Sequence, residues 1–163
     1  MKLLDTSCLS LFMLEIPQYE FIQELNDANE SLNITNQIKD EFEDKDIFCQ
    51  LNNYISKGLI SVKDINHDVQ LERRYPMLGK GELSIIQWGL LLKDKIRYYC
   101  ILDDLNALKI ASKLELSFSA SIGLIILLKN KNNYSNLLIN NIISDIENSN
   151  FRVSKKVLNE LRN

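Results

Sequence analysis

Asp5, Glu82, Asp103 and Asp104 stand where short apolar runs end or where helices begin, and a further carboxylate, Glu41, lies within the helix that follows Leu32–Ile34. Asp5 follows the run Lys2–Leu4 directly, and Asp103 and Asp104 follow "YYCIL". Glu82 lies at a helix start behind Gly79 and Gly81. Glu41 comes three residues after Ile38 and beside Phe42, at the border of a buried stripe, but Asp40, Glu43 and Asp44 adjoin it and spacing does not choose among them. Each has a local explanation. Asp104 can cap the next helix, Glu82 can complement a helix dipole, and Glu41 can belong to a solvated face. None of these accounts for convergence. Carboxylates gathered in one crevice without His or Cys suit a hard divalent cation, Mg²⁺ or Mn²⁺. Such an ion polarises phosphoryl oxygens and activates water, which is the equipment of phosphodiester hydrolysis. Without it the carboxylates repel one another, and some take up protons.

The elements that must position these groups alternate between short strands and amphipathic helices. Strands are expected at Lys2–Leu4, Leu32–Ile34, Leu59–Val62 and Tyr98–Leu102. Thr6 or Ser7 is available to cap a helix running to Leu14, and Pro17–Asn26 reads as a second helix. Thr35 opens a third, with Ile38, Phe42 and Leu51 inward. After "LGKG", Leu83, Ile86 and Leu90 recur at helical spacing, with Trp88 at the core or its edge. Helices are also expected over Asn106–Leu114, Ile122–Lys131, Ser135–Asn148 and Ser154–Arg162. Strands separated by helices of this length are βαβ units, so the fold class is α/β: a mostly parallel central sheet with helices on both faces. Ligands of such sheets bind beyond the carboxyl ends of the strands. That rule puts Asp5 and the Asp103–Asp104 pair on one edge.

Composition bounds the partners. The chain has 163 residues, a net charge of −3 and 45% hydrophobic residues, consistent with one domain over 1–163. Bulk charge does not call for nucleic acid, so such binding needs a local basic patch. Cys8, Cys49 and Cys100 are widely spaced among apolar neighbours and read as buried thiols, and His67, the only histidine, reads as a loop or helix-start residue. No targeting segment is expected, and the longest apolar stretch, Ile122–Leu128, falls far short of the ~20 residues that span a bilayer. A cytoplasmic protein with no membrane partner is the expectation. No anion-binding glycine loop follows a strand, which argues against a small-molecule phosphatase.

These segments, in this order, resemble the PIN-domain superfamily of metal-dependent ribonucleases, which includes VapC-type toxins, and in particular its DUF3368 subgroup. "LLDTSCL" resembles the first strand and acidic motif, giving Asp5 with Thr6 and Ser7. "NITNQIKDEF" is similar to the Ile-Thr-x-x-Val-x-x-Glu segment and singles out Glu41. "LGKGELSII" is similar to Leu-Gly-x-Gly-Glu, giving Glu82. "ILDDLNALKIA" resembles the strand-end Asp-Asp motif, giving Asp103 and Asp104. "ASIGLIILLKNK" resembles a Gly-Thr-x-Gly helix start, with Ala120 and Ser121 in place of Gly and Thr. The family often carries an arginine one turn into the Asp-Asp helix, where this chain has Leu108 and then Lys109.

The resemblance implies a PIN-like three-layer α/β/α sandwich in which Asp5, Glu41, Glu82 and Asp104, with Asp103 adjacent, hold one or two Mg²⁺ or Mn²⁺ ions. Asp104 is expected to face the metal, with Asp103 as its electrostatic neighbour. Thr6, Ser7 and Ser121 would position water or a phosphate oxygen. Lys80 and Lys109, with Arg73, Arg74 and Lys129, are the candidate RNA contacts. The implied activity is an endoribonuclease, the toxin of a toxin–antitoxin pair, with RNA as substrate, an antitoxin protein as partner and a homodimeric state. The alternatives are a catalytically silent PIN-fold regulatory module and a metal-dependent DNA nuclease. The C-terminal "FRVSKKVLNELRN" reads as an amphipathic closing helix or as a surface for an acidic partner or RNA.

Overall fold

The computed structural model describes residues 1–43 and 47–162. Five short strands, β1 (Lys2–Leu4), β2 (Leu32–Thr35), β3 (Ile60–Lys63), β4 (Tyr99–Ile101) and β5 (Phe118–Ser119), form one parallel sheet in the order β3-β2-β1-β4-β5. Leu3 of β1 stands level with Asn33 on one side and with Cys100 on the other. The chain winds outward from β1 through β2 to β3, returns to β4 on the other side of β1, and ends at β5. The strand order therefore reverses between β1 and β4, the place where α/β sheets open a crevice.

Central strands buried on both faces read as continuous apolar runs, as in Leu3–Leu4 and Cys100-Ile101-Leu102, all fully buried. Edge strand β3 is different, with Ser61, Val62 and Lys63 exposed. Helix α6 (Lys80–Leu92) packs across β1, β2 and β4 and against α3 (Asn36–Asp40), α5 (Val69–Arg74) and α7 (Leu105–Lys113). Gly89 is what allows the close approach to β4, since a Cβ there would lie 2.8 Å from Cys100 Sγ. Helix α2 (Phe21–Asp27) packs on β2 and on α8 (Ser121–Asn132), and α10 (Lys155–Glu160) packs on α8. Two helical layers thus enclose the sheet in an α/β/α sandwich. Helices α1 (Thr6–Ser10), α4 (Phe48–Ser56) and α9 (Asn136–Asn148) complete the fold. No helix among the described residues is long and apolar enough to cross a membrane.

Several expectations need correction. Asp5, not Thr6 or Ser7, caps α1, because its carboxylate reaches the Cys8 amide. The first helix widens into a π-helical turn over Leu11–Glu15, and Pro17–Tyr19 is a separate 3₁₀ turn ahead of α2. Thr35 does cap its helix, but α3 stops at Asp40 and α4 begins anew at Phe48, although Ile38, Phe42 and Leu51 are all buried. Asp44 lies outside the described residues. Leu90 sits at helical spacing yet is 37% exposed, whereas Trp88 is buried. Cys8 and Cys100 are buried, but Cys49 is exposed. The two-residue strand β5 was not expected; it is too short to show a period. It is held by the Leu102 amide donating to Ser119 O at 2.9 Å.

Candidate active site

Helix N-termini carry unpaired backbone N–H groups and a partial positive charge, so carboxylates settle there. At the carboxyl edge of this sheet several helices begin together, and the acidic residues serve them. Asp5 caps α1, its Oδ1 accepting from the Cys8 amide at 2.8 Å. Asp104 caps α7, accepting from the amides of Asn106 at 2.8 Å and Ala107 at 2.9 Å. Ala120, ahead of α8, has no side chain that can cap, and Asp103 reaches over from β4 in its place. Its Oδ1 accepts from the Ser121 amide at 3.0 Å, and its Oδ2 from the Ser121 hydroxyl. Glu41, just past α3, accepts from the Gly81 amide in the first turn of α6 at 3.0 Å and from the Thr6 hydroxyl. A side chain at Gly81 would close that approach, since a Cβ would lie 2.6 Å from Glu41 Oε1 and 2.7 Å from Ile38 Cδ1. Glu82, in the first turn of α6, folds back over Gly79.

Capping is not the whole account, because the caps differ in burial. Asp104 is exposed, as a solvated cap is free to be. Asp5 is 1% exposed, and its Oδ2 accepts from the Asp103 amide at 3.3 Å, which binds the two strand ends together. Burial pushes the Asp5 carboxyl well above the usual carboxylate range, the charge on Asp103 raises it further, and Glu82 adds a smaller push. The Asp103 carboxyl is also raised by burial, against the pull of its two bonds to Ser121. Among the described residues, none of Asp5, Glu41, Glu82 and Asp103 pairs with a lysine or arginine. The burial and the repulsion are thus offset by no ion pair among the described residues. The Cys8 thiol beneath them is raised by burial and by the same two aspartates, so it stays protonated and is no nucleophile.

A crevice of about 420 Å³ opens over this edge, walled by Thr6, Ser7, Glu82, Asp103, Asp104 and Arg152 among others. Asp5, Glu41 and the fully buried Ser121 are not in its wall: Glu41 reaches it through Thr6, and Asp5 and Ser121 lie behind Asp103. Lys80 and Lys109 are exposed outside the wall. His67 is exposed and bonded to Glu72 at 3.0 Å, away from the crevice. Both aspartates line the crevice, but the Asp103 carboxylate turns to Ser121 while its amide meets Asp5, and Asp104, expected to face the metal, turns into the α7 cap. The cation that does line the crevice, Arg152, lies in the segment read as a closing helix or as a surface for an acidic partner or RNA. Its signal was the aromatic–basic pair Phe151-Arg152 ahead of α10.

Among the described residues, no group of three or more His, Cys, Asp or Glu side chains is gathered to hold a metal ion. The carboxylates meet in pairs, Asp5 with Asp103 and, at longer range, Glu82 with Asp5. The donor chemistry nonetheless fits a hard cation. Each oxygen of Asp5 and Asp103 accepts a single described hydrogen bond and so retains acceptor capacity. Mg²⁺ takes one or two carboxylates and completes its shell with water, so a pair suffices.

Comparison with protein families matches residues 1–163 to the family DUF3368, described as a PIN domain. No curated protein and no solved structure matches the chain. PIN domains are generally nucleases, and the all-parallel sheet with its enclosing helices is a fold of that type.

Proposed function

The chain belongs to the PIN-domain family DUF3368, and from that premise we propose that it is a Mg²⁺- or Mn²⁺-dependent endoribonuclease, the toxin of a toxin–antitoxin pair. One observation carries the reading: at the sheet's switch point the buried Asp5 carboxylate stands against the charge of the half-buried Asp103, and among the described residues no lysine or arginine pairs with either. Two carboxylates desolvated against each other lower the fold's stability unless a cation joins them. Asp5 and Asp103 would hold the metal, with Glu82 at the crevice wall and Glu41 acting through Thr6. The bound ion would supply Lewis acidity toward a phosphoryl oxygen and a water activated near neutral pH. Ser121 holds the Asp103 carboxylate in place through its amide and hydroxyl, and the Cys8 amide holds Asp5. Glu41 fixes the Thr6 hydroxyl at the crevice wall beside Ser7, where both can orient water or phosphate. Arg152 offers the crevice a cation for the phosphodiester.

Purified protein is expected to cleave single-stranded RNA with Mn²⁺ and to stop in EDTA. Cleavage that ignores EDTA, or that persists in Asp5→Asn, would contradict the reading. A silent regulatory module is the second reading, favoured by the internal hydrogen bonds that already occupy both carboxylate oxygens of Asp103 and of Glu41. DNA of the same sequence, run in parallel, separates the DNA nuclease.

A further inference from the structure

Next to the crevice lies a second, larger cavity of about 810 Å³, bounded by the start of α7, the start of α8 and the segment joining α9 to α10. Its size falls within the ~300–1,000 Å³ typical of small-ligand sites. Its walls are aliphatic, with Leu105, Leu108, Ile122 and Val157 among them, and Leu105 is 71% exposed. The two cavities share Asp103, Phe151 and Arg152, so whatever lies along the acidic crevice runs on into the groove.

The shared wall is held by its backbone. The Asn150 amide donates to Glu15 Oε2 at 3.0 Å, tying the segment to the far side of the crevice. The Phe151 amide donates to Ser149 Oγ at 3.0 Å, and that hydroxyl donates to Ile146 O at the end of α9 at 2.8 Å. Phe151 is thus a half-buried ring at a fixed place, with Arg152 next to it. Among the described residues no carboxylate pairs with Arg152. Lys155 stands at the groove with it, against two acids, Glu147 and, at the end shared with the crevice, Asp103.

We propose that this groove binds an unpaired nucleobase flanking the scissile phosphate, stacked on Phe151, while Arg152 engages the phosphodiester between groove and crevice. The inference rests on the nuclease reading for the word scissile and otherwise stands on the groove itself. Single-stranded nucleic acid alternates a flat apolar base with an anionic linker, and stacking platforms flanked by cations are how proteins hold it. An apolar slot that opens past a guanidinium onto a phosphate-handling crevice offers both halves in that order. Stacking tolerates any base, so the site would grade substrates by strandedness more than by sequence.

The test uses the whole protein and a fluorescently labelled RNA octamer in EDTA, which reads binding apart from chemistry. Phe151→Leu is expected to weaken binding roughly 5- to 150-fold, the effect of losing one stacked base, and Phe151→Trp to retain it. Arg152→Gln is expected to weaken binding and to flatten its dependence on log salt by about 0.7, one phosphate contact on a single strand. Moving one abasic position through the octamer should reproduce the Phe151→Leu loss at a single register, and that register should cost nothing further in Phe151→Leu. Equal binding by wild type and Phe151→Leu would overturn the proposal. So would additive losses in the abasic scan, or a wild type that binds no single-stranded RNA; the last would leave the groove to a protein partner. The binding pattern without Mn²⁺-dependent cleavage would keep the subsite and remove the nuclease reading. Cleavage whose KM ignores Phe151→Leu would do the reverse.

Discussion

The two edges of the sheet handle charge in opposite ways. At the amino edge Lys2 is buried, but it pairs with Glu30 at 3.6 Å and lies 4.4 Å over the Tyr99 ring. Glu30 is paired in turn with Lys131 at 3.7 Å. Burial there is offset locally. At the carboxyl edge the buried Asp5 stands beside the half-buried Asp103, with helix N-termini as their only described compensation, and both are raised toward the protonated form. The proposed metal would supply at the second edge the counter-charge that Glu30 supplies to Lys2 at the first.

Breaking the acidic pair should have the largest effect. Asp103→Asn can still accept from the Ser121 amide and donate to its hydroxyl, so the fold should survive. RNA cleavage should fall at least about 10²-fold, the scale of losing one group that stabilises the transition state. The same variant should melt higher than wild type in EDTA, because it removes the repulsion from Asp5. A lower melting point would show that the pair stabilises the metal-free fold.

Next in size is Gly81→Ala, whose Cβ would press on Glu41 Oε1 and on Ile38 in the core. Overpacking of this kind costs about 1–3 kcal/mol, readable in urea unfolding. Asp104→Ala should cost about 0.5–2 kcal/mol through the lost α7 cap, with Asp104→Ser restoring most of it. Both Asp104 variants should keep cleavage, which sharpens the contrast with Asp103.

The smallest effect is on the pH dependence of stability in EDTA. Asp5 and Asp103 titrate higher in the folded chain than in the unfolded one, where an aspartate titrates near ~3.9. The folded state therefore binds more protons. The contribution of the pair is greatest below that value and declines as pH rises through the raised folded values. Subtracting the Asp103→Asn curve from that of wild type should isolate the part of this decline owed to Asp103 and its push on Asp5; a flat difference would place Asp103 in the ordinary range and uncouple it from Asp5.

Much of this was legible in the sequence. The apolar runs ending at Asp5 and Asp103 located the strands, and βαβ spacing dictated a parallel sheet, so the crevice edge followed from topology. What the sequence did not carry was side-chain direction. Adjacent Asp103 and Asp104 have the same local signature, and only the placement of α8, with the uncapped Ser121 amide, decides which one turns inward. The long helix expected from Thr35 to Leu51 failed because three inward apolar residues fit two helices as well as one. Arg152 was legible as part of a basic surface, but its place on the crevice wall was not, because that wall joins the far end of the chain to its start and no local pattern encodes that. Leu108 now has a place in the wall of the apolar groove.

The most direct test is a Mn²⁺ titration followed by calorimetry on wild type, Asp103→Asn and Asp104→Asn at neutral pH. The account predicts that wild type and Asp104→Asn bind Mn²⁺ and that Asp103→Asn does not. Binding lost in Asp104→Asn and kept in Asp103→Asn would contradict it.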